Sequence, residues 1–187
     1  MNLSYKRWGV ELGGTERDRE IWQRKMPPLT DVYVEEIKNE QGNFHILRSK
    51  EFAHALDSKE VHKRAKKILK TLNAIFALVE DADQVTISAV VEFDQDGILR
   101  KSAFVELKGI SVRSRVGVPK LTVYDNDGNI LPPEPKLSRA QLCMIAVSKA
   151  PDLESALWYL NDNPGWGELY KACEVLEQIA SHIVSNK

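Results

Sequence analysis

The chain has 187 residues, of which 43% are apolar and 28% charged, with a formal net charge of −1 and two cysteines. This composition reads as a folded chain with an ordinary hydrophobic core, long enough to need no disulfide or metal staple. It argues against a disordered chain and excludes any attraction to nucleic acid or anionic membrane that rests on overall charge, and no segment reaches the roughly 18 apolar residues of a membrane span.

Taken in chain order, Arg7–Leu12 reads as a first strand with Trp8, Val10 and Leu12 on one face, ended by Gly13 and Gly14. Thr15 sits where its hydroxyl can accept an early orphan backbone N–H of a helix running to about Lys25, and Asp18 has the capping-box spacing. Pro27 and Pro28 stop that helix. Asp31–Lys38 and Phe44–Arg48 are rich in β-branched and aromatic residues and read as two strands joined around Gln41, Gly42 and Asn43.

A long helix follows over 59–80. Asp57 and Glu60 have capping-box spacing, and Val61, Ala65, Ile68, Leu69, Leu72, Ile75, Phe76 and Val79 form an apolar stripe. Next, Val85, Ile87, Ala89, Val91 and Phe93 alternate with polar residues, the pattern of an antiparallel strand with one dry face. Asp96 and Gly97 are a hairpin signal. The return run Leu99–Leu107 leads through Gly109 into Ile110–Val118, and Leu121–Tyr124 completes the strands before Asp127 and Gly128. Pro132, Pro133 and Pro135 then mark a stiff connection. Beyond it Ser138 caps a helix to about Lys149, Asp152 caps one to about Leu160, and a last helix begins near Pro164.

Segregated runs of this kind predict an α+β fold: a mostly antiparallel sheet packed by one long helix, then a C-terminal three-helix segment. The expected organisation is 1–131 for the sheet and long helix, 132–136 for the proline-rich connection, and 137–187 for the helical segment.

The last helix carries the clearest pattern. Trp166, Leu169, Tyr170, Cys173, Leu176, Ile179, Ala180 and Ile183 recur at steps of three and four, with Glu168, Lys171, Glu174, Glu177 and Gln178 opposite. Trp158, Trp166, Leu169 and Tyr170 cluster near a helix junction. Such aromatics serve either core packing or an interface.

A second candidate is cationic. Lys59, Lys63, Arg64, Lys66, Lys67 and Lys70 face one acid, Glu60, and the segment 98–120 adds Arg113 and Arg115 on one strand face. If Lys63, Lys66, Lys67, Lys70, Arg113 and Arg115 adjoined, they would form a phosphate-contacting patch. Aromatic stacking residues are not interleaved with these charges, and residues 151–187 hold six acids and two bases able to balance them.

Other signals fall short of chemistry. Glu92, Asp94, Asp96 and Gly97, and Asp125, Asp127, Gly128 and Glu134, each match part of a calcium loop but lack one end carboxylate and sit between strands, so they read as hairpin turns. His45, His54, His62 and His182 share no metal-ligand spacing. Cys143 and Cys173 read as two reduced core thiols, which suits a reducing compartment. No nucleophile elbow, phosphate loop or dinucleotide fingerprint occurs. The sequence calls for no cofactor and no metal, and it names no catalytic residue.

The string Trp166-Gly-Glu-Leu169-Tyr170-Lys171-Ala-Cys-Glu174 resembles the C-terminal Trp-x-x-Leu-Tyr-Lys-x-x-Glu helix of a group of uncharacterised bacterial proteins. In outline, their Trp-bearing first strand, extended hairpin and helix are similar to this chain, with Ala65, Leu69, Leu72 and Asn73 comparable. The resemblance implies no activity and supplies no site residues.

The expectation is a small cytoplasmic protein whose function is association, with itself or another protein, through the C-terminal helices. Nucleic-acid binding by the basic face of the long helix is the alternative. An enzyme comes third, and would need a carboxylate such as Glu92 or Glu106 held near an arginine in a pocket.

Overall fold

The computed structural model describes residues 7–39, 42–80, 82–94, 99–104, 136–160 and 165–185. In chain order the elements are β1 (Trp8–Gly13), α1 (Glu16–Lys25), β2 (Val32–Asn39), β3 (Gly42–Ser49), a short 3-10 turn (Lys50–Phe52), α2 (Ser58–Val79), β4 (Thr86–Phe93), β5 (Leu99–Ala103), α3 (Arg139–Lys149), α4 (Pro151–Tyr159) and α5 (Trp166–Ser185). The strands form one sheet, ordered β2-β3-β1-β4-β5, and every pairing is antiparallel. The fold is thus α+β.

Local chemistry sets the helix starts. Thr15 Oγ1 accepts the Asp18 N–H at 3.2 Å, and Gly14 turns the chain there with φ +119°. Asp18 is 2% exposed, and its carboxylate also accepts the Asp83 N–H at 3.1 Å, tying the start of α1 to the segment before β4. Asp57 accepts the Glu60 N–H at 2.8 Å at the start of α2. Ser138 and Gln141 form a reciprocal capping box on α3. The same two side chains pin α3 to the end of α1: the Ser138 hydroxyl donates to Lys25 O, and Gln141 Nε2 donates to Pro27 O at 2.8 Å.

One face of the sheet and the helices share a core. Trp8, Val10, Leu12, Val34, Leu47 and Val90 meet Ile21, Trp22 and Met26 of the α1 region, the Val61–Phe76 stripe of α2, and Ala140 of α3. Trp22 and Phe76 stack at 4.6 Å between ring centroids. All seven stripe residues from Val61 to Phe76 are buried, as their spacing predicts.

Three local expectations differ from what is observed. Gly42 and Asn43, expected at the turn, pair with Asn39 and Lys38 as the first residues of β3. Asp152 does not cap α4: the cap position is Ala150, two residues earlier, with Pro151 in the first turn and no side-chain cap. The alternation in β4 is also broken. Glu11 pairs with Ala89 but Leu12 pairs with Ile87, so Ser88 is an extra, bulged residue. Val85, Ile87 and Val90 therefore face the helices, while Ala89, Val91 and Phe93 face the other way. The Asp96-Gly97 hairpin, Gly109, the strands expected at 110–118 and 121–124, Pro132–Pro135 and Pro164 lie outside the described residues.

The far face is roofed by its own long side chains. Arg48, 5% exposed, reaches from β3 across Gly9 of β1: its Nη1 donates to Trp8 O at 2.9 Å, its Nε to Glu35 Oε1 at 2.7 Å, and its guanidinium lies 3.9 Å from the Phe93 centroid. Lys101 reaches from β5 across β4, 2.9 Å from Glu11 Oε2 and 3.7 Å from the Phe44 centroid. Ile46 and Val91 are consequently 1% and 0% exposed on a face outside the helical core. Gly9 is required by this arrangement, since a Cβ there would stand 2.5 Å from Ile46 Cγ2 and 3.1 Å from Arg48 Nη1. Forcing extra volume into such a site costs about 1–3 kcal/mol.

Among the described residues Arg19 Nε, Trp22 Nε1 and both ring nitrogens of His45 are buried without a hydrogen-bond partner, and of these His45 is the group that titrates near neutral pH. It pairs with Glu36 across β2 and β3, faces α1, is 4% exposed, and neither ring nitrogen has a hydrogen-bond partner among the described residues. Burial, and then the Arg19 charge, hold it below the ordinary histidine value of 6.5, against the pull of Glu36, Glu20 and Glu16. A depressed value means that the unfolded chain takes up the proton first as pH drops. The contribution of neutral His45 is thus complete above pH 6.5 and lost as pH falls below it. The expected outcome is that His45→Leu flattens the fall in urea-unfolding free energy on acidification below about pH 6.5, relative to the parent chain.

Candidate interaction surface

The C-terminal helices meet α2 along a polar seam. Thr71, 2% exposed, donates its hydroxyl proton to Glu154 Oε1 at 2.9 Å and accepts the Trp158 indole N–H at 3.2 Å. Lys67 Nζ stands 3.5 Å from Glu154 Oε2, and Lys70 Nζ lies 3.9 Å from the centre of the Trp158 ring. Glu154 and Trp158 are one helical turn apart on α4, so a carboxylate and an aromatic face leave the same side of the helix. The seam satisfies a buried hydroxyl and places two lysines against an anion and a π-cloud, both favourable where water is partly excluded.

This placement divides the cationic candidate. Lys67 and Lys70 turn toward α4, while Lys59, Lys63 and Lys66 are exposed at steps of four and three along α2. Glu60, the one acid in the run, is committed elsewhere. Its carboxylate accepts the Leu56 N–H at 2.9 Å and pairs with Arg64, and those two contacts hold it below the usual carboxylate value. Arg113 and Arg115 lie outside the described residues.

Trp158, Trp166, Leu169 and Tyr170 do not form one cluster. Trp158 is half-buried in the seam, and Leu169 is half-buried near the start of α5. Trp166 and Tyr170 are 89% and 67% exposed. The reason is the number of neighbours. Among the described elements α5 packs mainly on α4, so it covers a narrow strip through Ala172, which is 1% exposed, with Leu169, Val175 and Ile179 beside it. The broad stripe of the sequence is wider than one neighbour can cover, and its outer part forms a ridge of Trp166, Tyr170 and Cys173, with Leu176 half-exposed at 43%. Cys173 is therefore a surface thiol, in place of the core thiol expected, whereas Cys143 packs against the core.

The remaining candidates resolve locally. Glu92 is indeed held by an arginine: Arg7 Nη2 donates to it at 2.6 Å and Nε at 2.9 Å, at the margin of the sheet. Of the other calcium-loop positions, Asp96, Gly97 and 125–134 lie outside the described residues, as does Glu106. His62 stacks on Phe104 at 4.2 Å, and His54 is exposed. Among the described residues no helix is long and apolar enough to cross a membrane.

The sequence did not single out Glu154, Thr71, Ala172 or Arg48, and it raised His45 only as one of four histidines without metal-ligand spacing. Glu154 carried a local signal, its one-turn spacing to Trp158. Thr71 carried one too, as a polar residue inside an apolar helical window. The partners of Arg48 come from separate strands, and no spacing along the chain reports them.

No family model, curated protein or solved structure matches this chain. The functional reading therefore rests on the surface itself.

Trp158 tests the seam. Trp158→Phe keeps a ring over Lys70 and removes the indole donor, with an expected loss of about 1 kcal/mol. Trp158→Ala removes both, with an expected loss of about 3 kcal/mol. Urea unfolding at two salt concentrations measures each.

Proposed function

We propose that this protein is an association module, and that its partner is a second copy of the same chain engaged by the outer ridge of α5. The observation that carries this reading is Trp166, 89% exposed one turn before Tyr170, 67% exposed, on a helix that has covered its other side against α4. Burying a side chain of this size is worth about 1.5–3 kcal/mol. Paired aromatic anchors on a rigid helix are the residues that dominate measured interfaces. The expected outcome in sedimentation velocity is concentration-dependent association, weakened at least about tenfold by Trp166→Ala with Tyr170→Ala. A parent chain that stays monomeric at about 100 μM removes the reading.

A second reading, contact with a phosphate polymer, has one specific observation in its favour: Lys59, Lys63 and Lys66 are exposed on one face of α2. A fluorescence-anisotropy titration with a labelled oligonucleotide tests it. Binding should tighten steeply as salt is lowered and weaken with Lys63→Glu, and no binding at low salt ends it.

A further inference from the structure

The exposed large apolar side chains among the described residues fall into two groups. Trp166, Tyr170 and Leu176 stand on α5, while Leu29, Leu137 and Leu142 gather at α3. Leu56 and Leu78 lie at the two ends of α2.

Leu142, 52% exposed, belongs to a face that α3 turns away from the core. Ala140, Gln141 and Val147 are buried on the inner side, where Cys143 and Met144 pack against the core. On the outer side Arg139, Leu142, Ala146 and Lys149 follow one another at steps of three, four and three, and all are exposed. They make one helical face about 15 Å long. Gln141 Nε2 donates to Pro27 O at 2.8 Å and to Thr30 Oγ1 at 3.3 Å, which holds the 27–30 segment, and with it Leu29, beside the start of this face. The face therefore has an apolar middle and a cation at each end. α3 contains no acidic residue, and neither Arg139 nor Lys149 has an ion pair among the described residues.

The α5 ridge has the complementary form. Trp166, Tyr170, Cys173 and Glu177 are exposed at steps of four, three and four, a course of about 17 Å, with Glu174 exposed beside them. Aromatic surface fills the first half of the ridge and carboxylates the second. Neither Glu174 nor Glu177 has an ion pair among the described residues, and Lys171, on the flank, lies 5.6 Å from the Tyr159 ring centroid. A second α5 ridge would offer those carboxylates no cation. The α3 face offers leucine surface in its first half and a lysine at its end.

Building on the reading of α5 as the docking element, we propose that its ridge seats on the outer face of α3 in a second copy, the two helices running parallel. Trp166 and Tyr170 cover Leu142 and Leu29, Cys173 meets Ala146, and Glu174 and Glu177 face Lys149. Arg139 then lies at the Trp166 end, where a guanidinium on an indole face is favourable. The two surfaces differ, so the contact is heterologous. Each molecule keeps one unused ridge and one unused α3 face, and association continues into a ring or a chain. Exposed charge pairs make it sensitive to salt.

Sedimentation velocity on the full chain tests this with Leu142→Ala and with two charge-reversed variants, Lys149→Glu and Glu174→Lys/Glu177→Lys. All four positions are exposed, and circular dichroism checks that each variant is folded. Each variant alone should associate at least about fivefold more weakly than the parent. An equimolar mixture of the two charge-reversed variants should recover association, because each ridge then meets an α3 face of opposite sign. A mixture as weak as its components overturns the proposal. If Trp166→Ala/Tyr170→Ala abolishes association while Leu142→Ala and Lys149→Glu leave it unchanged, the ridge seats elsewhere: this proposal is overturned and the reading of α5 stands. A chain that is monomeric at every salt concentration overturns both.

Discussion

The apolar stripe of α2 pressed against one face of the sheet is the contact on which the rest of the molecule depends. Val61, Ala65, Leu72 and Phe76 are fully covered, and the strands that α2 packs on are β4 and β1, the central strand. A helix that commits one side so completely must give its opposite side to water, and here that side is lysine. Its flank remains for α4, where Thr71 is the one buried hydroxyl that needed a partner. The seam with Glu154 and Trp158, and through α4 the position of α5, follow from how α2 lies on the sheet.

The sheet shows a different solution on its other face. No described helix lies there, yet Val91 and Ile46 are dry. Two cations do the covering, each with a carboxylate at its tip and an aromatic ring beneath it. A long basic side chain can shield apolar surface with its methylene stem while its head keeps polar partners. The missing side chain of Gly9 leaves the space that the Arg48 guanidinium occupies. This arrangement ties stability to four strands at once, because Arg48, Glu35, Phe93 and the Trp8 carbonyl belong to β3, β2, β4 and β1.

Much of this was legible along the chain, and the part that was not has a common cause. The capping residues Thr15, Asp57 and Ser138 announce helix starts because their chemistry is local. The α2 stripe announces its buried face because a helix this long meets one large partner. The alternation through β4 misleads: Thr86 to Phe93 fit a perfect period of two, and the slip shows only when β1 is laid beside it. The stripe on α5 misleads in a similar way. Periodicity reports which residues prefer to be covered, and the count of neighbours decides which of them are. His45 and Arg48 are hidden from sequence because their surroundings are assembled from distant segments.

The bulge at Ser88, more than side-chain identity, decides which residues in the outer half of β4 face the helices. Ser88 is exposed and many residues could stand in its place. Removing it would only restore the zigzag, because Ile87 and Ala89 already pair with the consecutive residues Leu12 and Glu11. Pairing the full-length strand without the bulge, by contrast, would turn its outer half inside out. Val91 and Phe93 would swing toward the helices, Val90 and Glu92 would swing away, and Arg48 would lose the ring it rests on. One slipped residue there separates two incompatible layerings of the same strand.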